Sequence, residues 1–432
     1  MPFDLSRGAP RRIAIVGGGI SGMAAAWLLR GHHEVTLFEA ADRLGGHART
    51  VLAGRNGDRP VDTGFIVFNY ANYPHLTALF RDLDVAVQRS DMSFGVSLMA
   101  GRLEYALSSG NALFGQRANL LSPGFHGMIR DILRFNARAE DMAQGRPDLT
   151  IAEMLAELRL GPRFRDHYLY PICGAIWSTP TSGIGAFPAQ ALIRFMCNHA
   201  LMSAGGQHQW WTVSGGSRSY VARLEAALWT SGVRLRLGAP VAAVTRDETG
   251  VDLRPQGGLP ERFDQVIFAT HADQALAMLA DPAPEERAAL GAVRFQPNRM
   301  VLHRDAAVMP RRRRCWSSWV YRADSPGSAP GHEGASVGVS YWMNRLQNIP
   351  MEDPLFVSLN PEIAIREEAI YDETTFRHPV FDHAALRAQA RIAALQGERR
   401  SWFAGAWLRN GFHEDGFASA LRIARRLLPE KV

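Results

Sequence analysis

The strongest constraint on this chain is a cluster of glycines placed directly behind a short apolar run. Ile13-Ala14-Ile15-Val16 reads as a buried parallel strand, and Gly17, Gly19 and Gly22 follow in G-x-G-x-x-G spacing. In such a turn the first glycine permits the sharp reversal. The second lets a pyrophosphate approach the backbone, and the third lets helix pack on strand. Ser21 lies inside the turn, and Met23 to Leu29 supplies good helix formers whose N-terminus presents free N–H groups to phosphate. Glu34 to Phe38 reads as the second strand, and Glu39 stands at its end, 17 residues past Gly22. A carboxylate there accepts hydrogen bonds from ribose hydroxyls and repels a 2′-phosphate, so the unit suits a dinucleotide other than NADP.

The rest of the composition narrows what such a unit serves. With 432 residues the chain is long enough for two domains, and 47% apolar with 21% charged residues is ordinary for a globular protein. No apolar run is long enough to span a bilayer, and Met1 to Arg12 lacks the apolar stretch of a signal peptide, so a cytoplasmic location is expected. Cys173, Cys197 and Cys315 have no metal or disulfide spacing, and no metal site is expected. The net charge of +6 is carried almost wholly by arginine, since Lys431 is the one lysine. Arg311-Arg312-Arg313-Arg314, followed by Cys315-Trp316-Ser317-Ser318-Trp319, is either a solvated loop or a basic-aromatic patch resting on anionic lipid at the inner membrane face. No motif accompanies the charge that would suit nucleic acid.

A second set of residues selects the cofactor. Arg43, Gly45, Gly46 and Thr50 resemble the R-x-G-G-R-x-x-T signature of the flavin amine oxidase superfamily, with His47 where arginine is usual. Val61-Asp62-Thr63-Gly64-Phe65 resembles the segment that passes the flavin ring, and Gly215-Gly216-Ser217 the turn back into the cofactor domain. Gly238-Ala239-Pro240-Val241 resembles the strand beside adenine, and the run ending Ala269-Thr270 the strand returning to the pyrophosphate. Phe403-Ala404-Gly405 resembles the last strand of the family, with Ala406 where an acid is usual. The resemblance implies noncovalent FAD, held by these residues together with Asp415, Gly416 and Phe417 at the start of the last helix. It implies an α/β fold: a discontinuous, Rossmann-type, glutathione-reductase-like FAD domain with an inserted α+β substrate domain. Within the superfamily, Ala175 to Pro180, Tyr341 to Gln347 and Gly411 to Gly416 are similar to bacterial FAD-binding proteins associated with methylation or cyclopropanation of lipid acyl chains.

The FAD domain is expected at 10–70, 210–282 and 398–432, with substrate segments at 71–209 and 283–397. Helices are expected over Gly127–Met142, Ile151–Leu160, Phe187–Met202 and His383–Leu395, and strands over Ala335–Tyr341 and Leu355–Leu359. Asp415 reads as the N-cap of the last helix, whose buried face would be Phe417, Leu421, Ala424 and Leu428.

Many flavin amine oxidases hold a water between a lysine and the flavin, and Lys431 lies too close to the chain end to serve. That favours carbon–carbon dehydrogenation or double-bond isomerisation of an apolar or lipid acyl substrate over amine oxidation. The candidate base is His413, with Glu414 beside it; a satisfied loop histidine and a helix-capping glutamate are the alternatives. His199 reads as a helix-end histidine bonding carbonyls, and Trp177 and Tyr341 as pocket walls or core. Acyl identity, electron acceptor and oligomeric state are not encoded in any motif.

Overall fold

The computed structural model describes residues 10–146, 148–177, 181–199, 201–202, 208–324 and 338–428, with the side chains of 181 and 182 left aside. Lys431, Ser178 to Pro180, Ala335 to Val337, and Ala200 of the expected helix ending at Met202 lie outside the described residues.

Two sheets organise the chain. The first is parallel and five-stranded, built from β1 (Arg12–Val16), β2 (Glu34–Phe38), β3 (Arg234–Arg236), β4 (Gln265–Phe268) and β5 (Ser401–Phe403) in the spatial order β5-β4-β1-β2-β3. Its central strands are apolar on both faces, as a parallel sheet covered on both sides requires. Helix α1 (Ile20–Leu29) crosses from β1 to β2, and this βαβ unit is what the glycine spacing anticipates. The sheet brings residues from both ends of the chain side by side, because β1 pairs with β4 and β4 pairs with β5.

The second sheet has seven strands. Its order is Ile370–Pro379, Phe295–His303, Phe356–Leu359, Gly338–Trp342, Trp319–Ala323, Phe94–Leu98, Leu103–Ala106. Most neighbours are antiparallel, but Trp319–Ala323 runs parallel to Phe94–Leu98, joining segments more than two hundred residues apart. Against this end of the sheet packs a helical layer around Phe125, Phe135, Phe164, Leu192 and Met196.

Four further helices place the site. They are α2 (Pro74–Asp82), α3 (Pro123–Ala143), α4 (Arg218–Thr230) and α5 (His413–Leu427). Proline at the first helical position and a Ser122 side chain accepting from Phe125 N start α3. The expected Asp415 N-cap is corrected: the N-cap is Phe412, three residues earlier, and Asp415 works from the third helical position. There its Oδ2 accepts the N–H groups of Phe412 and Asn410 at 3.1 and 3.2 Å. The buried face of α5 is Phe417, Ala420, Ile423, Ala424 and Leu427, one step off the expected set, while Arg422, Arg425 and Arg426 face solvent.

Candidate functional site

The turn after β1 leaves α1 with an open N-terminus. Gly19 is its N-cap, no side chain caps it, and its first turn carries no acid. The N–H groups of the first turn therefore lack helical acceptors and face outward. Gly17 takes φ +106°, a conformation reserved in practice for glycine. A Cβ built at Gly22 would lie 1.8 Å from the Gly17 carbonyl oxygen, so α1 sits hard on the turn. A Cβ built at Gly19 would meet no protein atom within 4 Å. These are a turn, an open donor set and clear space above it, which is what a pyrophosphate needs. Glu39 closes the far edge: its carboxylate accepts from Gly18 N at 2.6 Å and from Ala41 N at 2.8 Å.

From this turn one cavity of about 1240 Å³ runs through the molecule. Its walls include Gly17, Gly19, Ser21, Glu39, Gly45, Gly46, His47, Thr63, Gly64, Phe65, Val241, Ala269, Thr270, Gly405 and His413. These positions, distant in sequence, are thus brought together. Their neighbours include two that no spacing signalled: Trp407, whose Nε1 donates to the Thr270 carbonyl at 3.0 Å, and His378, from the edge strand of the second sheet. The open helix N-terminus, the ribose-side carboxylate and the length of the cavity fit FAD.

Gly22 takes the packing place between helix and strand that its spacing implies, and five other expected site residues lie off the cavity wall. Arg43 is absent from the wall; its guanidinium donates to the carbonyls of Leu44, Gly46 and Ala48 and braces the glycine loop from behind. Asp415 is turned back into its own turn. Gly416 lets α5 approach α1, since a Cβ there would meet Ile20 and Ser21 at 2.8 Å. Phe417 is core. Glu414 is buried away from the cavity and accepts the N–H groups of His75 and Leu76 at 3.0 Å each, at the start of α2. Arg43, Glu414, Asp415, Gly416 and Phe417 thus brace the elements that line the cavity.

His413 does border the cavity. Its ring stacks on Phe65 with centroids 3.8 Å apart, and Nε2 lies 3.0 Å from the Tyr220 hydroxyl. Burial, and to a lesser degree His47, lowers its pKa to about 3, so it is neutral at physiological pH rather than titrating near it. His47, in the place of the usual arginine, stacks on Phe376 at 4.8 Å and is lowered to about 4, chiefly by burial. His199 follows the end of its helix and bonds the Phe195 carbonyl through Nδ1 at 3.0 Å, as expected of a helix-end histidine.

Beyond the glycine loops the cavity turns apolar. Ile129, Ile132 and Leu133 of α3 face Ile172, Ile176, Trp177 and Phe195, with Trp319, Tyr341 and Met300 from the second sheet. Trp177 and Tyr341 are therefore walls. Of the wall carboxylates, Glu39 belongs to the glycine end, and Asp91 is spoken for: it accepts from Arg345 at 2.7 Å and from Ser93 at 2.9 Å. Among the described residues, no lysine lines the cavity.

Residues 20–301 match the family model for flavin-containing amine oxidoreductases. The chain belongs to that family. Its cofactor is FAD. Among curated relatives it is 28% identical over 324 residues to hydroxyneurosporene desaturase from Cereibacter sphaeroides, covering 64% of this chain and 60% of the relative. It is 27% identical over 183 residues to coproporphyrinogen III oxidase from Mycobacterium leprae, covering 40% and 39%. The chain thus matches less than two thirds of the length of these relatives. A solved structure, the CLA-producing fatty acid isomerase from P. acnes, aligns over 96% of this chain and 98% of its own with a TM-score of 0.66 at 16% identity, which shows a shared fold. None of the helices among the described residues is long and apolar enough to cross a membrane.

Proposed function

We propose that this protein is an FAD-dependent oxidoreductase that removes a hydride from a carbon of an apolar substrate, a fatty acyl chain of a membrane lipid, and so desaturates it. One observation carries the reading: the apolar half of the cavity is continuous with the dinucleotide turn and, among the described residues, offers no unpaired carboxylate and no lysine for a charged substrate. Bound FAD supplies the hydride acceptor.

The chain's own residues bind, orient and exclude water. The isoleucine row of α3 and the facing Trp177 and Phe195 hold a methylene chain extended and dry. Such placement brings reacting atoms within about 3–3.5 Å, which accounts for much of the rate in a transfer of this kind. Loss of hydride leaves the carbon electron-poor and acidifies the hydrogens on its neighbour, so a weak acceptor is enough. Neutral His413, the titratable member of the expected pair that borders the cavity, suits that role, with Tyr220 fixing its ring. The desaturase relative supports the reaction class.

Lipid mass spectrometry on cells with and without the protein tests the reading. A two-hydrogen mass loss in one lipid class is expected. An unchanged lipid profile contradicts it. Turnover of a double bond without net flavin bleaching under anaerobic conditions would move the assignment to an isomerase, and peroxide release with amines alone would move it to an amine oxidase.

A further inference from the structure

The cavity reaches the surface where the dinucleotide has no need of an opening. Leu133 borders the cavity yet is 60% exposed, and Leu107 borders it at 38%. They mark a mouth between α3 and the segment that follows strand Leu103–Ala106. Helix α3 carries two adjoining stripes at helical spacing. Ile129, Ile132, Leu133 and Asn136 face the cavity, while His126, Arg130 and Leu133 face solvent, so Leu133 belongs to both. The outer stripe continues into Leu120 and Leu121, the latter 88% exposed. His126 Nε2 bonds the Leu120 carbonyl at 2.8 Å and sets these leucines beside the start of α3. Leu120, Leu121 and Leu133, with His126 and Arg130 between them, leave apolar side chains exposed from the start of α3 to the cavity wall.

Exposed arginines flank these leucines. Arg117 donates to Asn111 and the Phe114 carbonyl, which holds it at the rim. The arginine run abuts the same segment, since a Cβ built at Gly115 would lie 3.3 Å from Arg314 Cβ. Within that run Arg312 is committed to buried Glu104 at 2.8 Å, whereas Arg313 and Arg314 are exposed, with Arg313 lying over Trp316. The aromatic half of the patch read from sequence turns inward: Trp319 lines the cavity and Trp316 donates to the Pro310 carbonyl.

We propose that this face docks on an anionic lipid bilayer, leucines entering the headgroup–acyl boundary and arginines meeting lipid phosphates, so that an acyl chain passes from bilayer to cavity without crossing water. The proposal deepens the acyl-chain reading, on which it rests only for what enters the mouth.

The test sediments the full FAD-loaded chain with phosphatidylcholine–phosphatidylglycerol vesicles and with pure phosphatidylcholine vesicles. Binding is expected with the anionic vesicles and is released by high salt. Leu120→Asp with Leu121→Asp, and separately Arg313→Glu with Arg314→Glu, are each expected to weaken it about tenfold or more. Trp229→Asp, at an exposed position of α4, is expected to leave it intact. All three should keep flavin absorbance and melting temperature, being surface changes. Absence of sedimentation, undiminished sedimentation of both double variants, or an equal loss in Trp229→Asp overturns the proposal. Flavin reduction by detergent-dispersed lipid separates the two claims: vesicle docking without such reduction upholds this surface and removes the desaturase reading, and the reverse removes only the surface.

Discussion

Two glycines of one motif make opposite demands. A methyl group on Gly22 has no room, being 1.8 Å from the Gly17 oxygen, whereas one on Gly19 touches nothing in the protein. Gly19→Ala is therefore expected to fold with stability unchanged within about 0.5 kcal/mol and to lose FAD affinity about tenfold or more, because its methyl stands where the pyrophosphate passes. Gly22→Ala is expected to lose about 1–3 kcal/mol of stability as well, from overpacking. Thermal melts of the apo-proteins and FAD titrations check both; equal destabilisation by the two changes would contradict the distinction. At this scale the sequence was legible where spacing encodes geometry, as at Gly17, Gly19, Glu39 and Gly46. It was not legible at Arg43, Asp415 or Glu414, because a motif marks which residues are near a cofactor and not which way each side chain turns.

Among elements, the two helix N-termini of α1 and α5 lie side by side through the Gly416 contact, and Glu414 ties α5 to a third, that of α2. Glu414→Ala removes a carboxylate from the buried Leu76 amide and the half-buried His75 amide, and a loss of about 1–3 kcal/mol is expected, with the flavin reduction rate of the surviving holoprotein unchanged. A fall in that rate at unchanged stability would restore a catalytic role. A buried pair performs a similar service elsewhere: Arg246, nearly inaccessible, donates to Glu286 at 2.8 Å and to Ser401 at 3.0 Å, fastening the strand Val241–Arg246 and helix Pro284–Gly291 to the start of β5. Glu286→Ala removes the two-pronged partner of that guanidinium, leaving it Asp281 Oδ1 at 3.2 Å, and is expected to cost about 1.5–3 kcal/mol, read by denaturant unfolding. Element boundaries followed the sequence where apolar spacing was regular. Helix His383–Leu395 has the expected bounds, and Leu355–Leu359 is realised as Phe356–Leu359. The parallel pairing of Trp319–Ala323 with Phe94–Leu98 could not be read, because nothing local to either strand specifies a partner so distant.

At the scale of the molecule, burial holds a set of histidines neutral. His47, His271 and His303 are lowered to about 4, and His378 and His413 to about 3, each chiefly by desolvation. The unfolded chain takes up these protons below about pH 6.5, and the folded chain does so only near pH 4–3. Their contribution is complete above pH 6.5 and is lost as pH falls toward 4, at about 1.4 kcal/mol per pH unit for each histidine. Asp62, raised to about 6 by burial, acts in the opposite sense over part of that range, its contribution being lost as pH rises through 6. The histidines outnumber it, so the melting temperature of the holoprotein should fall from pH 7 to pH 5; a flat profile would contradict their burial as neutral groups. The continuity of one cavity from the glycine turn to Leu133 of α3 was the least legible feature, since it exists only once both sheets and the helical layer are assembled. That continuity is the central claim, and it is tested most directly by mixing the FAD-loaded protein anaerobically with a membrane lipid extract while following the oxidised-flavin band. The account predicts bleaching of that band with a matching two-hydrogen loss from a lipid acyl chain. A band that persists with every lipid class and bleaches with amines would contradict it.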